Sequence, residues 1–136
     1  MVLAAAMLTG IGTTGALAVC AAPATQLAGS TLSGTLSGKT VCVGAGGNWN
    51  NQEYHAGSLG GDVVDYKKGP SDPVDPSKTV GAWSITGNDL STVVYNYGAA
   101  TYSYTIWQQA DGSLDFCNGS TPMVSGATLR SGMSHC

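Results

Sequence analysis

Charge is what this chain has least of. Five Lys/Arg and eight Asp/Glu among 136 residues make 10% charged residues, where average globular proteins carry about a quarter. The net charge is −3, and the adjacent cations Lys67-Lys68 are outnumbered by Asp62, Asp65, Asp72 and Asp75 close by. That is not the basic groove a nucleic-acid binder needs, so nucleic acid is excluded as a partner. Histidine is nearly absent too, with only His55 and His135. A zinc or other transition-metal site wants three or four ligands at a recognised spacing, and none is present, so no metal is expected. There is no Asp-x-Asp-x-Asp-Gly loop for calcium and no Gly-x-Ser-x-Gly turn for a nucleophilic serine. The reading is of a protein without a cofactor and without catalytic machinery.

Long apolar runs are missing as well. The most apolar stretch is "MVLAAAMLTGIGTTGALA". Gly10, Gly12, Thr13, Thr14 and Gly15 interrupt it, which excludes the about 20 consecutive apolar residues of a membrane span. Residues 1–18 read instead as a signal peptide ending in the A-x-A pattern Ala16-Leu17-Ala18, with Val19 opening the mature chain. Signal peptides start with Lys or Arg, yet the first cation is Lys39, so the initiator is expected upstream of Met1. This places the protein in the periplasm or outside the cell. Leu17-Ala18-Val19-Cys20 also has the look of a lipobox, but Val19 fits it poorly. Acylation of Cys20 would strand three of four cysteines in an oxidising compartment, so soluble secretion is preferred.

The four cysteines, Cys20, Cys42, Cys117 and Cys136, allow three pairings. The favoured one joins Cys117 to Cys136 through one strand and a glycine-containing return, and leaves Cys20 to reach Cys42. Residues 19–38, "VCAAPATQLAGSTLSGTLSG", are small and uncharged and read as a flexible leader. Leu27, Leu32 and Leu36 could make a short apolar stripe there, although the glycines argue against a long helix. The folded domain is expected to span 39–136.

What is present from Lys39 onward is a period of two. "TYSYTIWQ" sets Tyr102, Tyr104 and Ile106 on one face against Thr101, Ser103 and Thr105. "STVVYNY" sets Val93, Tyr95 and Tyr97 against Thr92, Val94 and Asn96. "AWSIT" pairs Trp83 with Ile85, "SLDFCN" pairs Leu114 with Phe116, and "TVCV" pairs Val41 with Val43. Gly87-Asn88-Asp89, Gly98-Ala99-Ala100 and Asp111-Gly112 punctuate these runs, the last a strong hairpin signal. Asn118-Gly119-Ser120 is a glycosylation sequon and, first, a turn. The pattern predicts an all-β fold: a small antiparallel meander of six to eight strands, closing into a barrel or a tight sandwich.

The layout "LSGKTVCV", "WNNQEYHAGSLGGDVVDYKKGP", "VGAWSITGN" and "YSYTIW" resembles small, uncharacterised exported β-domain proteins of Gram-negative bacteria, over about residues 36–117. Gly47-Asn48-Trp49 and Gly81-Ala82-Trp83 match G-x-W, similar to the layout of lipocalin-like small barrels. The resemblance implies the fold and the export, and brings no chemistry with it.

One window departs from the rest. Eight charges lie between Glu53 and Lys78, accompanied by His55, Trp49, Tyr54 and Tyr66. Alternation puts Trp49, Asn51, Glu53 and His55 on one strand face. Cross-strand pairing accounts for Glu53, Lys67 and Lys68 without any function, and the Pro-rich loop holding Asp72 and Asp75 reads as solvated turns. Aromatic walls with a few polar groups also describe a ligand mouth. The expected binding residues are Trp49, Glu53, His55, Asp65, Tyr66 and Lys67, in a non-catalytic domain for a small molecule or an envelope or surface partner. A structural or surface-assembly role is the alternative, and a small hydrolase using Glu53 and His55 comes third.

Overall fold

The computed structural model describes residues 18–45, 48–65 and 77–136. Eight strands form the body: β2 (Lys39–Ala45), β3 (Asn48–His55), β4 (Gly60–Asp65), β5 (Lys78–Thr86), β6 (Thr92–Asn96), β7 (Thr101–Gln108), β8 (Leu114–Asn118) and β9 (Thr121–Ser131), preceded by β1 (Thr25–Gln26) and helix α1 (Gly29–Leu36). Each strand from β2 to β9 pairs antiparallel with the next, and β9 returns to β2 through Val41↔Leu129 and its neighbours. The sheet is thereby closed into an eight-stranded up-and-down barrel, and β1 adds to β7 at Trp107 and Gln108, beyond the reach of β6. Closure removes the unpaired edges an open sheet would expose.

The alternation read in the sequence is what fills the barrel. Val41, Val63, Trp83, Ile85, Val93, Tyr95, Ile106, Leu114, Phe116 and Ala127 converge in one core. Their opposite-parity neighbours form the outer wall, as the pleat of a strand requires.

Residues 19–38 are not the flexible leader expected of them. α1 closes one end of the barrel, with Leu32 and Leu36 fully buried and Leu27 nearly so. Burial of a leucine contributes about 1.5–3 kcal/mol, which offsets the poor helix propensity of "GSTLSGTL" and a helix start without a side-chain cap. Polar ties fix its position: Ser33 Oγ donates to the Ser58 carbonyl, Gly29 N–H to Leu90, and Gly38 N–H to His55. Leu32 and Leu36 form the buried stripe of the helix and Leu27, just before its N-cap, joins them in the core, and the glycines do not prevent a helix this short. Ala18 apart, the expected signal peptide lies outside the described residues.

The disulfides also correct the expectation. Cys20 bonds Cys117 and Cys42 bonds Cys136, not Cys117 to Cys136 and Cys20 to Cys42. The reason is topological. Cys42 and Cys117 stand on the outer parity of β2 and β8. The chain leaving β9 emerges beside β2, because those strands close the barrel, so the tail lies against Cys42. Cys136 N–H donates to Gln52 Oε1 and Thr40 Oγ1 donates to the Gly132 carbonyl, burying Thr40, Cys42 and Gln52 on an outer wall. The N-terminal segment runs in beside β7, next to β8. There the buried Gln109 side chain donates both to the Ala18 carbonyl and to Asp115. Each terminus is strapped to the outside of the barrel by its own disulfide.

Candidate functional site

The end opposite α1 carries a cavity of about 100 Å³. It runs into the barrel between β2 and β3 on one side and β6, β7 and β8 on the other. The inward parity of β3 sets Asn51, Glu53 and His55 at increasing depth, with Tyr95 and Tyr97 from β6, Tyr104 from β7, Phe116 from β8 and valines 41, 43 and 124 completing the lining.

At the floor, His55 is 1% exposed. Its Nδ1 lies 3.1 Å from the Glu53 backbone carbonyl and its Nε2 lies 2.7 Å from the Tyr95 hydroxyl. A carbonyl only accepts, so Nδ1 carries the proton and Nε2 accepts from Tyr95. The ring also meets Trp83 edge-on at 5.2 Å. Burial is the main influence on its pKa and lowers it from 6.5 to about 4, against a smaller upward pull from the carbonyls of Glu53 and Lys39. At neutral pH the floor is uncharged. The Tyr95 hydroxyl is likewise held protonated by burial.

One step toward the mouth, Glu53 accepts a hydrogen bond from the Tyr97 hydroxyl at 2.9 Å. Burial raises the Glu53 pKa, the Tyr97 hydrogen bond lowers it, and the Asp65 charge raises it again. Asp65 ends β4 directly opposite Glu53 in the strand register. The Tyr97 ring has room because residue 81 on β5 is glycine. A Cβ there would sit 2.4 Å from the Asn96 carbonyl oxygen and 3.0 Å from the Tyr97 ring. The rings form a connected wall: Tyr95 and Tyr97 are parallel with centroids 6.1 Å apart, and Tyr104 meets Phe116 edge-on at 5.9 Å. Such pairings are worth about 0.5–1.5 kcal/mol each and hold the wall rigid. Among the described residues, every fully buried side-chain nitrogen or oxygen has a hydrogen-bond partner.

Of the six residues expected to bind, Glu53 and His55 line the cavity. They do so separately: the His55 ring takes the backbone carbonyl of Glu53, while the Glu53 carboxylate is held by Tyr97. Asp65 adds its charge from the neighbouring strand. Trp49 is half-buried in β3 and outside the lining. Tyr66 and Lys67, with Lys68, Asp72 and Asp75, lie outside the described residues. Among the described residues the window supplies one wall. The other consists of tyrosines 95, 97 and 104 with Phe116, whose shared faces were visible in the alternation but were not read as part of a site. No group of three or more His, Cys, Asp or Glu able to hold a metal occurs among the described residues.

No family model matches the chain, and no curated protein or solved structure matches it. Among the described residues no helix is long and apolar enough to cross a membrane. Two disulfides are consistent with an oxidising compartment.

Proposed function

We propose that this protein is an exported, non-catalytic binding domain that holds a small molecule in the open end of its barrel. The observation that carries the reading is the cavity itself: about 100 Å³, one end open, walled by aromatic rings, with Glu53 inside. A barrel built only as scaffold would fill that space with side chains, as it does around Leu32, Ile106 and Leu114. The polar groups are fixed before any ligand arrives, because Tyr95 and Tyr97 already hold His55 and Glu53, and such preorganisation favours binding. It disfavours catalysis by this pair, since the basic nitrogen of His55 is occupied by Tyr95 and its pKa of about 4 makes it a weak base at neutral pH. The two disulfides and the A-x-A leader support a periplasmic or secreted location.

The test is a fragment titration followed by amide NMR. Saturable shifts are expected on β3, β6 and β7 near the mouth, and Val124→Phe, which fills the cavity, should abolish them. If no fragment perturbs these strands, or if Val124→Phe leaves the shifts unchanged, the barrel is scaffold and the reading falls.

A further inference from the structure

Resting on that reading, we infer that the ligand is an organic cation, a small ammonium head group seated between Glu53 and the ring wall of Tyr95, Tyr97 and Tyr104. The charge inventory of the cavity points one way. Among the described lining residues Glu53 is the acid and no lysine or arginine is present. Burying a carboxylate without a counter-charge is costly, and placing a second carboxylate directly across the strand pair adds to the cost. Glu53 stands in that position, opposite Asp65. A cation in the cavity would offset the cost of burying the Glu53 carboxylate, whereas an anion would deepen it and a neutral guest would leave it unchanged.

The second, independent feature is the ring wall. Tyr95, Tyr97, Tyr104 and Phe116 are contiguous along three adjacent strands. Aromatic rings attract a cation within about 6 Å of their centroids, more strongly when water is excluded. The hydroxyl of Tyr97 donates to Glu53, which turns the polarity of that edge toward the carboxylate and leaves the ring available. Volume sets the size. An apolar cavity of about 150 Å³ holds benzene, so about 100 Å³ suits a head group of roughly five heavy atoms, such as a tetraalkylammonium centre, with any tail leaving through the mouth.

A matched probe set tests this: choline, its neutral isostere 3,3-dimethylbutan-1-ol, and the anion 3,3-dimethylbutanoate, titrated calorimetrically into the oxidised protein at low salt. Choline is expected to bind at least about tenfold tighter than the alcohol, with the anion weakest. Glu53→Gln, which keeps an acceptor for Tyr97, should erase that preference, and Tyr104→Leu should weaken choline without touching the carboxylate. Choline affinity should also rise as the pH is raised from 4.5 through the raised pKa of Glu53 in the wild type and stay flat in Glu53→Gln. Among the described residues the groups facing Glu53 are Asp65 from β4, Tyr95 and Tyr97 from β6, Tyr104 from β7 and His55 on its own strand, with Val41 and Val43 from β2, and Lys78 of β5 stands opposite Asp65. A rise that survives in Glu53→Gln assigns the titration to Asp65 and overturns Glu53 as the counter-charge. Equal or tighter binding of the alcohol overturns the cation while leaving the binding site intact. No binding of any probe overturns the cation as well, and the fragment titration then decides whether a site exists. Choline and methylamine compared in the same way separate an alkylated head group from a primary one.

Discussion

The two ends of the barrel are made by the same eight strands and finished in opposite ways. At the α1 end, three leucines from outside the barrel are driven into it, and hydrogen bonds tie the helix segment to the β3–β4 and β5–β6 connections. At the other end, among the described residues, the strands present Asn51, Glu53, Tyr97 and Tyr104 to a cavity, and Glu53 sits opposite Asp65. One end is arranged for stability and the other tolerates cost. Natural proteins place such unfavourable groupings where function needs them and compensate elsewhere. The plug and the two straps are where this chain compensates.

The straps are the largest test of that contrast. They close loops of 97 and 94 residues, for which the chain-entropy account gives about 4–5 kcal/mol each. Cys20→Ser with Cys117→Ser, and separately Cys42→Ser with Cys136→Ser, should each lower the denaturation free energy by that amount. Urea midpoints under oxidising conditions measure it. A loss below about 1 kcal/mol from either pair would mean the termini are held by their hydrogen bonds alone, and the compensation argued for them is wrong.

The plug comes next. Leu32→Ala opens a cavity under α1 and is expected to cost about 2–5 kcal/mol, while Val43→Ala at the half-buried mouth should cost about 1 kcal/mol. Probe binding should respond in the reverse order, with Leu32→Ala retaining affinity at temperatures where it is folded. Thermal melts paired with choline titration check both halves. Equal destabilisation at the two ends would erase the distinction between them.

How much of this was legible beforehand depends on whether a contact is local. The strand at 101–108 was readable residue by residue, because alternation of Tyr102, Tyr104 and Ile106 is a property of neighbours along one chain. The turns at Gly87, Gly98 and Asp111-Gly112 were readable for the same reason. The disulfides were not, because the proximity of Cys136 to Cys42 exists only once β9 has closed onto β2. α1 was half-visible: Leu27, Leu32 and Leu36 were noted, but nothing local says that eight residues poor in helix propensity have a barrel end to fill. In the site, Glu53 and His55 stood out as rare residue types. Tyr95, Tyr97 and Tyr104 did not, since an inward tyrosine that packs a core and one that walls a cavity have the same sequence signature.

The smallest predicted effects concern pH, and they separate floor from mouth. His55 is bound into the folded state neutral, with a pKa lowered from 6.5 to about 4. Between those values the unfolded chain takes up a proton that the folded chain does not, so stability is complete above about pH 6.5 and is lost progressively down to about pH 4, by about 3 kcal/mol in all. His55→Gln should flatten that limb, and an unchanged slope would show that another group drives acid unfolding. Glu53 has the opposite sign. Its pKa is raised by burial and by Asp65, so its contribution is present at pH values below its ordinary 4.5 and is lost as pH rises through the folded-state value. Just above pH 4.5 the two groups oppose each other. Glu53→Gln removes the opposition, and the acid limb should become steeper. At pH 7 the same substitution relieves the burial of a charge facing Asp65 and should stabilise the fold by up to about 1 kcal/mol, while abolishing the preference for a cationic probe. Gain of stability with loss of binding is what a functional carboxylate gives. If Glu53→Gln instead destabilises the protein at neutral pH, the Tyr97–Glu53 hydrogen bond is a structural tie, and the mouth is built on the same terms as the plug.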